Sequence, residues 1–192
     1  MPPNPPASRS VTATELIAID PSIRSAGVAL FRADVLVACK CVKQRPDPAK
    51  GNGGRCLDMA LAITDWMLRE GFTPDTVAFE WPQIYQRHGS KSKGDPNDLP
   101  GLAGVGMAVA GLLGVEPYPV DVRTFVASEW KGQLPKHVCE HHIKRTLTAS
   151  ESKILPLFSQ HDTIDAIGIG LHALGRMALS TSRHRVLPGA VE

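Results

Sequence analysis

Four acidic residues in three separated stretches of this sequence stand where they could share one ion. Leu16-Ile17-Ala18-Ile19-Asp20 is an apolar run ending in a lone acid; a polar turn follows, and Gly27-Val28-Ala29-Leu30 resumes the apolar pattern. Thr76-Val77-Ala78-Phe79-Glu80 repeats the apolar run closed by one acid. His161-Asp162-Thr163-Ile164-Asp165 opens a stretch in which Ile164, Ile167, Leu171, Leu174 and Ala178 recur at helical spacing. Residues three apart on a helix share a face, so Asp162 and Asp165 can point at one spot. A carboxylate taken out of water needs a counter-charge or a cation. An oxygen-only set of this kind suits a hard ion such as magnesium or manganese.

Each acid also has a plain structural reading. Asp20 before Pro21-Ser22 is a good turn residue, and Glu80 before Trp81-Pro82 could be a solvated strand end. Asp162 could be the acidic first-turn residue of a helix capped by Ser159. What favours a shared site is the order of elements around the acids. Strands are expected near 16–20, 26–31 and 35–42, the first two joined by a hairpin-like turn. A loop at 47–54 contains Asn52-Gly53-Gly54. A helix over 55–69 follows, with Leu57, Leu61, Thr64 and Leu68 at helical spacing and Gly71 as its stop.

Beyond the Glu80 strand, the polar stretch 86–98 reads as a mobile loop. The next helix, 100–114, carries Gly101, Gly104, Gly106 and Gly111 among apolar residues. An interior glycine costs up to about 1 kcal/mol relative to alanine, so close packing against another backbone is the expected compensation. Sheet packing accounts for part of it, and a dimer interface stays open. A strand over 116–122, a helix over 136–147 and the Asp-bearing helix, running to near 180, complete the order. Residues 15–180 then form one domain, with a Pro-rich tail at 1–14 expected to be disordered and a basic tail at 181–192.

This arrangement resembles the RNase H-like nucleases, and specifically the RuvC-type Holliday junction resolvases in their phage-like form. Ile17 to Leu30 resembles the family's opening Ile-Asp-Pro-Gly motif with its downstream glycine. Asp162-Thr163-Ile164-Asp165-Ala166-Ile167-Gly168-Ile169 resembles the closing one. Trp130-Lys131-Gly132-Gln133-Leu134-Pro135-Lys136 is similar to the lysine-bearing segment before the penultimate helix. The resemblance implies an α/β fold with a five-stranded mixed sheet flanked by helices. It implies catalytic and metal-binding roles for Asp20, Glu80, Asp162 and Asp165, which would hold two Mg2+ or Mn2+ ions. It also implies a homodimer cutting four-way DNA junctions by paired nicks, in the cytoplasm of a bacterial cell or a phage-infected host.

Two departures stand out. Ser22 occupies the place of the family's glycine, and Trp81-Pro82-Gln83-Ile84-Tyr85 lacks an aromatic at the family's spacing after Glu80. Tyr85 and Trp81 are the candidates for an aromatic wedge. Two further readings use the same residues: a broader nuclease acting on flaps, branched DNA or RNA-DNA hybrids, and a non-catalytic binder of branched DNA. The presence of all four acids speaks against the second. An actin-like or sugar-kinase ATPase shares the strand-Asp-glycine opening, but its second phosphate-binding motif is missing from the sequence.

Composition sets limits without choosing among these. The 192 residues, 43% of them apolar, suit one domain with a substantial core. With 21 Lys and Arg against 19 acids, the net charge of +2 does not by itself indicate nucleic-acid binding. Basic residues do gather at 87–93 and 136–145, where they would either track phosphates or form ordinary solvated surface. Lys131, Lys136, Tyr85 and Arg87 are the candidate DNA contacts. No apolar run is long enough for a membrane helix, and no signal segment opens the chain. Cys139, within His137-Val138-Cys139-Glu140-His141-His142, invites a zinc reading, but no second ligand pair stands at a matching spacing. Reduced, packed cysteines are expected.

Overall fold

The computed structural model describes residues 14–45, 47, 49–83, 98–114, 119–156 and 161–177. Five strands, β1 (Glu15–Asp20), β2 (Ser25–Arg32), β3 (Val35–Lys43), β4 (Thr76–Glu80) and β5 (Asp121–Phe125), form one sheet in the order β3-β2-β1-β4-β5. The first three run as an antiparallel meander, and β4 and β5 join β1 in parallel. Helices α1 (Asn52–Arg69) and α2 (Asp98–Leu113) cover one face. The other face is covered by α3 (Ala127–Trp130), α4 (Lys136–Thr146), the short α5 (Ala149–Ser152) and α6 (His161–Ala173). This is the expected five-stranded mixed sheet between helical layers.

Side chains alternate across a strand, and the two cores follow that parity. Ile17, Ile19, Val28, Leu30, Val77 and Phe79 pack toward α1 and α2. Leu16, Ala18, Ala29, Phe31 and Ala78 pack toward α6. The parity that buries Leu16 and Ala18 beneath α6 also turns Asp20 toward it, and Ala78 does the same for Glu80. The apolar pattern of each strand thus decides which layer its terminal acid meets.

The glycines of α2 are explained in part by the sheet. A Cβ at Gly106 would lie 2.5 Å from the Phe79 ring, and one at Gly104 would lie 3.3 Å from Cys56 Sγ on α1. Gly111 has no neighbour of this kind within 4 Å and faces solvent.

Three boundaries differ from the sequence expectation. Helix α1 takes in Asn52-Gly53-Gly54 as its first turn, with Gly51 as its N-cap. Of the strand expected at 116–122, residues 116–118 lie outside the described residues; β5 runs Asp121–Phe125, and Pro119 before it has no N–H to give a ladder. Helix α6 ends at Ala173, not near 180, because Gly175 takes φ +68° and the N–H groups of Arg176 and Met177 close back on the Leu171 carbonyl. No described helix is long and apolar enough to cross a membrane.

The chain reversal at Gly175 delivers Arg176 to Glu151, which is fully buried. The pair is bidentate, at 2.6 Å and 2.8 Å, and Glu151 also accepts the backbone N–H groups of Leu36 and Thr148, both at 2.8 Å. The Arg176 guanidinium, aided by these N–H groups, pushes the Glu151 carboxyl down to about 2. A carboxyl held below its ordinary value stabilises the fold above that value and loses the contribution as pH falls toward the folded-state value. The wild type is therefore expected to lose on the order of 3 kcal/mol of stability between about pH 4.5 and pH 2 through this group. Urea denaturation across that window checks this, with Glu151→Gln showing a flatter profile.

Candidate active site

Strands β1 and β4 lie side by side in parallel, with Ile19 opposite Phe79, so the next residues, Asp20 and Glu80, emerge together at one end of the sheet. Across the antiparallel pair, Asp20 stands opposite Gly27. A Cβ on Gly27 would lie 1.8 Å from the Asp162 carbonyl oxygen. Only a glycine lets the start of α6 cross β2 so closely, and the crossing brings Asp162 and Asp165 to the strand ends. All four sequence-derived acids therefore meet at one end of the sheet.

Two of them are held by neighbours. Ser25 Oγ donates to Asp162 Oδ2 at 2.8 Å and also lies 3.0 Å from Cys41 Sγ. Glu80 Oε2 accepts the Trp130 indole N–H at 2.8 Å and the Lys131 ammonium at 3.1 Å. Lys131 Nζ lies 3.9 Å from Asp165 Oδ2 and 4.6 Å from the Trp130 ring centroid. The Lys131, Glu80 and Asp165 side chains keep 29%, 20% and 18% of their exposure, so a ligand can reach them although water is largely excluded.

The electrostatics show an excess of negative charge. Burial, followed by repulsion from Asp165, Glu80 and Asp162, pushes the Asp20 carboxyl well above the ordinary range against a partial pull from Lys131. Burial also raises Asp165, with Lys131 and Lys136 opposing and Glu80 and Asp162 adding to the rise. For Lys131, burial works against the charge, but Glu80, Asp165 and Asp20 outweigh it and hold the ammonium above the usual lysine value. Lys131 touches Glu80 and Asp165, and its one charge set against the four carboxylates leaves net negative charge and oxygen donors of the kind that suit a divalent cation. Among the described residues, no group of three or more His, Cys, Asp or Glu side chains is placed to hold a metal ion.

The other candidates fall in different places. Lys136 is exposed at the start of α4, where its charge reaches Asp165. Trp81 follows Glu80, is 43% exposed and lies 6.3 Å from the Phe79 ring. Tyr85, Arg87, the 86–98 loop (all but its last residue, which opens α2), the N-terminal tail up to residue 13 and the C-terminal tail lie outside the described residues, as does Ser159. His161 is exposed and pairs with Glu140 at 3.6 Å. Cys139 points into the core while His137, His141 and His142 are exposed, so that cluster does not converge. All four cysteines are unpaired, and burial pushes the Cys39 thiol up to about 11.

Two residues of the site escaped the sequence reading. Ser25 could have been found, since it lies two residues before Gly27 on the same face of β2. Nothing in the sequence signals that the Trp130 indole reaches Glu80, because that contact depends on how the turn after β5 packs beneath α6.

No family model and no curated protein sequence matches the chain. Solved structures do match its fold. RuvC of Thermus thermophilus in complex with Holliday junction substrate superposes with a TM-score of 0.57 at 17% identity, covering 85% of this chain and 97% of that one. A second Thermus thermophilus RuvC structure gives 0.54 at 15%, over 85% and 98% of the two chains. The yeast mitochondrial Holliday junction resolvase Ydc2 gives 0.53 at 12%, over 85% and 78%. The fold is RNase H-like, in its RuvC-type form.

Proposed function

We propose that this chain is a metal-dependent endonuclease that resolves four-way DNA junctions by paired nicks. The observation that carries the reading is the meeting of Asp20, Glu80, Asp162 and Asp165 at one end of a RuvC-type sheet, beside Lys131. Two magnesium or manganese ions held there would activate a water on one side of the phosphodiester and stabilise the leaving 3′ oxygen on the other. Asp20, flanked by the other three acids, is the candidate shared ligand. Glu80 serves from one side, Asp162 and Asp165 from the other. Lys131 and Lys136 supply flexible positive charge to the backbone near the cut.

Paired nicks require two such sites facing opposite strands, which a two-fold homodimer provides. Selection then rests on junction shape and deformability. The test is cleavage of labelled four-way junction, three-way junction, flap, RNA-DNA hybrid and linear duplex with Mg2+ or Mn2+. Symmetric nicks near the four-way branch point support the proposal. Preferential cutting of flaps or hybrids would keep the metal chemistry and reject the junction assignment.

Ser25 gives a finer prediction. Its hydroxyl holds Asp162 in place, and losing a hydrogen-bond partner of a metal ligand typically costs 10- to 100-fold in affinity or activity. Ser25→Ala is therefore expected to slow single-turnover junction cleavage by about 10- to 100-fold, with junction binding unchanged and Ser25→Thr retaining most of the rate. Full activity in Ser25→Ala would show that Asp162 needs no such support.

A further inference from the structure

We infer that Lys131 is a built-in counter-ion of the acid cluster that a divalent cation must displace, while Trp130 is the fixed post that keeps Glu80 in position. The inference rests on the nuclease reading above and concerns how its site is filled.

The two donors on Glu80 Oε2 differ in kind. Trp130 is fully buried, and its ring lies beneath α6 where Gly168 leaves space; a Cβ there would fall 2.6 Å from the ring. The indole N–H therefore has one position available. Lys131 lies on the turn after α3, followed by Gly132 at φ +58°. Its flexible stem carries the ammonium to Glu80 at 3.1 Å and toward Asp165 at 3.9 Å, over the Trp130 ring.

The ammonium thus sits between carboxylates of β4 and α6, the space a cation shared by those elements would need. While it stays there, it neutralises charge and occupies lone pairs that a cation would use. A lysine is a compact charge on a four-carbon stem, so it can leave without moving the backbone. Once displaced, it is free to meet a phosphate, whereas Trp130 still prevents Glu80 from swinging away.

The consequence runs against the usual expectation for a basic residue in a nuclease. Neutralising Lys131 should strengthen divalent-ion binding even as it impairs cleavage. Opposed charges this close interact strongly where water is excluded, and Lys131→Met is expected to bind Mn2+ about tenfold more tightly than wild type. Calorimetric titration of the full chain without DNA measures this. Lys131→Arg, which keeps the charge, should stay near wild type. Trp130→Phe, which keeps a ring and loses the N–H, should bind about tenfold more weakly.

A second readout uses the unaltered protein and does not depend on the variants folding well. Titration with Ca2+ should shift the Trp130 indole 15N–H resonance, identified by its loss in Trp130→Phe, as the ammonium leaves the ring. The inference is overturned if Lys131→Met binds Mn2+ no more tightly than wild type, or if the Trp130 resonance stays fixed at saturating Ca2+; the nuclease reading survives either result. If neither wild type nor Lys131→Met binds Mn2+, the nuclease reading itself fails, and this inference fails with it.

Discussion

Asp20→Asn is expected to reduce junction cleavage by on the order of 10³-fold, the equivalent of about 4 kcal/mol of transition-state stabilisation, while leaving the fold intact. Asp20 sits at the end of β1 among Glu80, Asp162 and Asp165, and the change removes one carboxylate oxygen and the negative charge without altering shape. The same substitution should raise thermal stability when divalent ions are absent. Burial and three neighbouring acids disfavour the charged form of Asp20 in the folded state, so its ionisation costs stability at neutral pH. Asparagine carries no such cost, and a gain of a few degrees in melting temperature is the expected size.

The pH dependence of Asp20 is opposite in sign to that of Glu151. A carboxyl raised in the folded state destabilises the fold at high pH, and that cost disappears as pH falls. Wild type should therefore gain stability on mild acidification in a chelating buffer, a gain that Asp20→Asn shows only in the part due to Asp165, which burial also raises. Parallel melting curves and cleavage time courses check both halves. An Asp20→Asn protein that cuts at the wild-type rate, or melts lower in chelator, would contradict the assignment.

Gly27→Ala is the second large effect. The added Cβ would lie 1.8 Å from the Asp162 carbonyl oxygen, 2.2 Å from its carbon and 2.9 Å from the Thr163 nitrogen. All three are backbone atoms, so no side chain can rotate away, and α6 must lift from β2. Overpacking of this kind costs about 3 kcal/mol or more. Displacing Asp162 and Asp165 by about 1 Å would cost on the order of 100-fold in rate. Gly111→Ala is the matched control, since no atom lies within 4 Å of its added Cβ and α2 continues through it. It should gain up to about 1 kcal/mol of stability without changing cleavage. A Gly27→Ala protein with wild-type stability and rate would mean that α6 need not lie so close to β2.

Much of this was legible in particular residues. The apolar runs ending at Asp20 and Glu80 carried both the strands and their parity, and parity alone aims the two acids at the helix bearing Asp162 and Asp165. Gly27 was visible as the residue that resumes the apolar run after the turn, although its role is to admit α6. Leu174 and Ala178 continue the apolar spacing of α6, but the helix ends at Ala173 because Gly175 turns the chain at φ +68°, which carries Arg176 to Glu151, 25 residues before it. The strand before α3 extends three residues beyond the expected Val122, to Phe125, because its ladder with β4 continues to Glu80. The indole contact to Glu80 had no local signal, since it arises only when three elements pack together.

The most direct test of the central claim is incubation of a supercoiled cruciform plasmid with the protein and Mg2+ or Mn2+. Two coordinated active sites on one junction predict linear plasmid as the main product, cut near the cruciform base, with neither linear nor nicked product from Asp20→Asn. Accumulation of nicked circles that Asp20→Asn still produces, or cutting that ignores the cruciform, would contradict it.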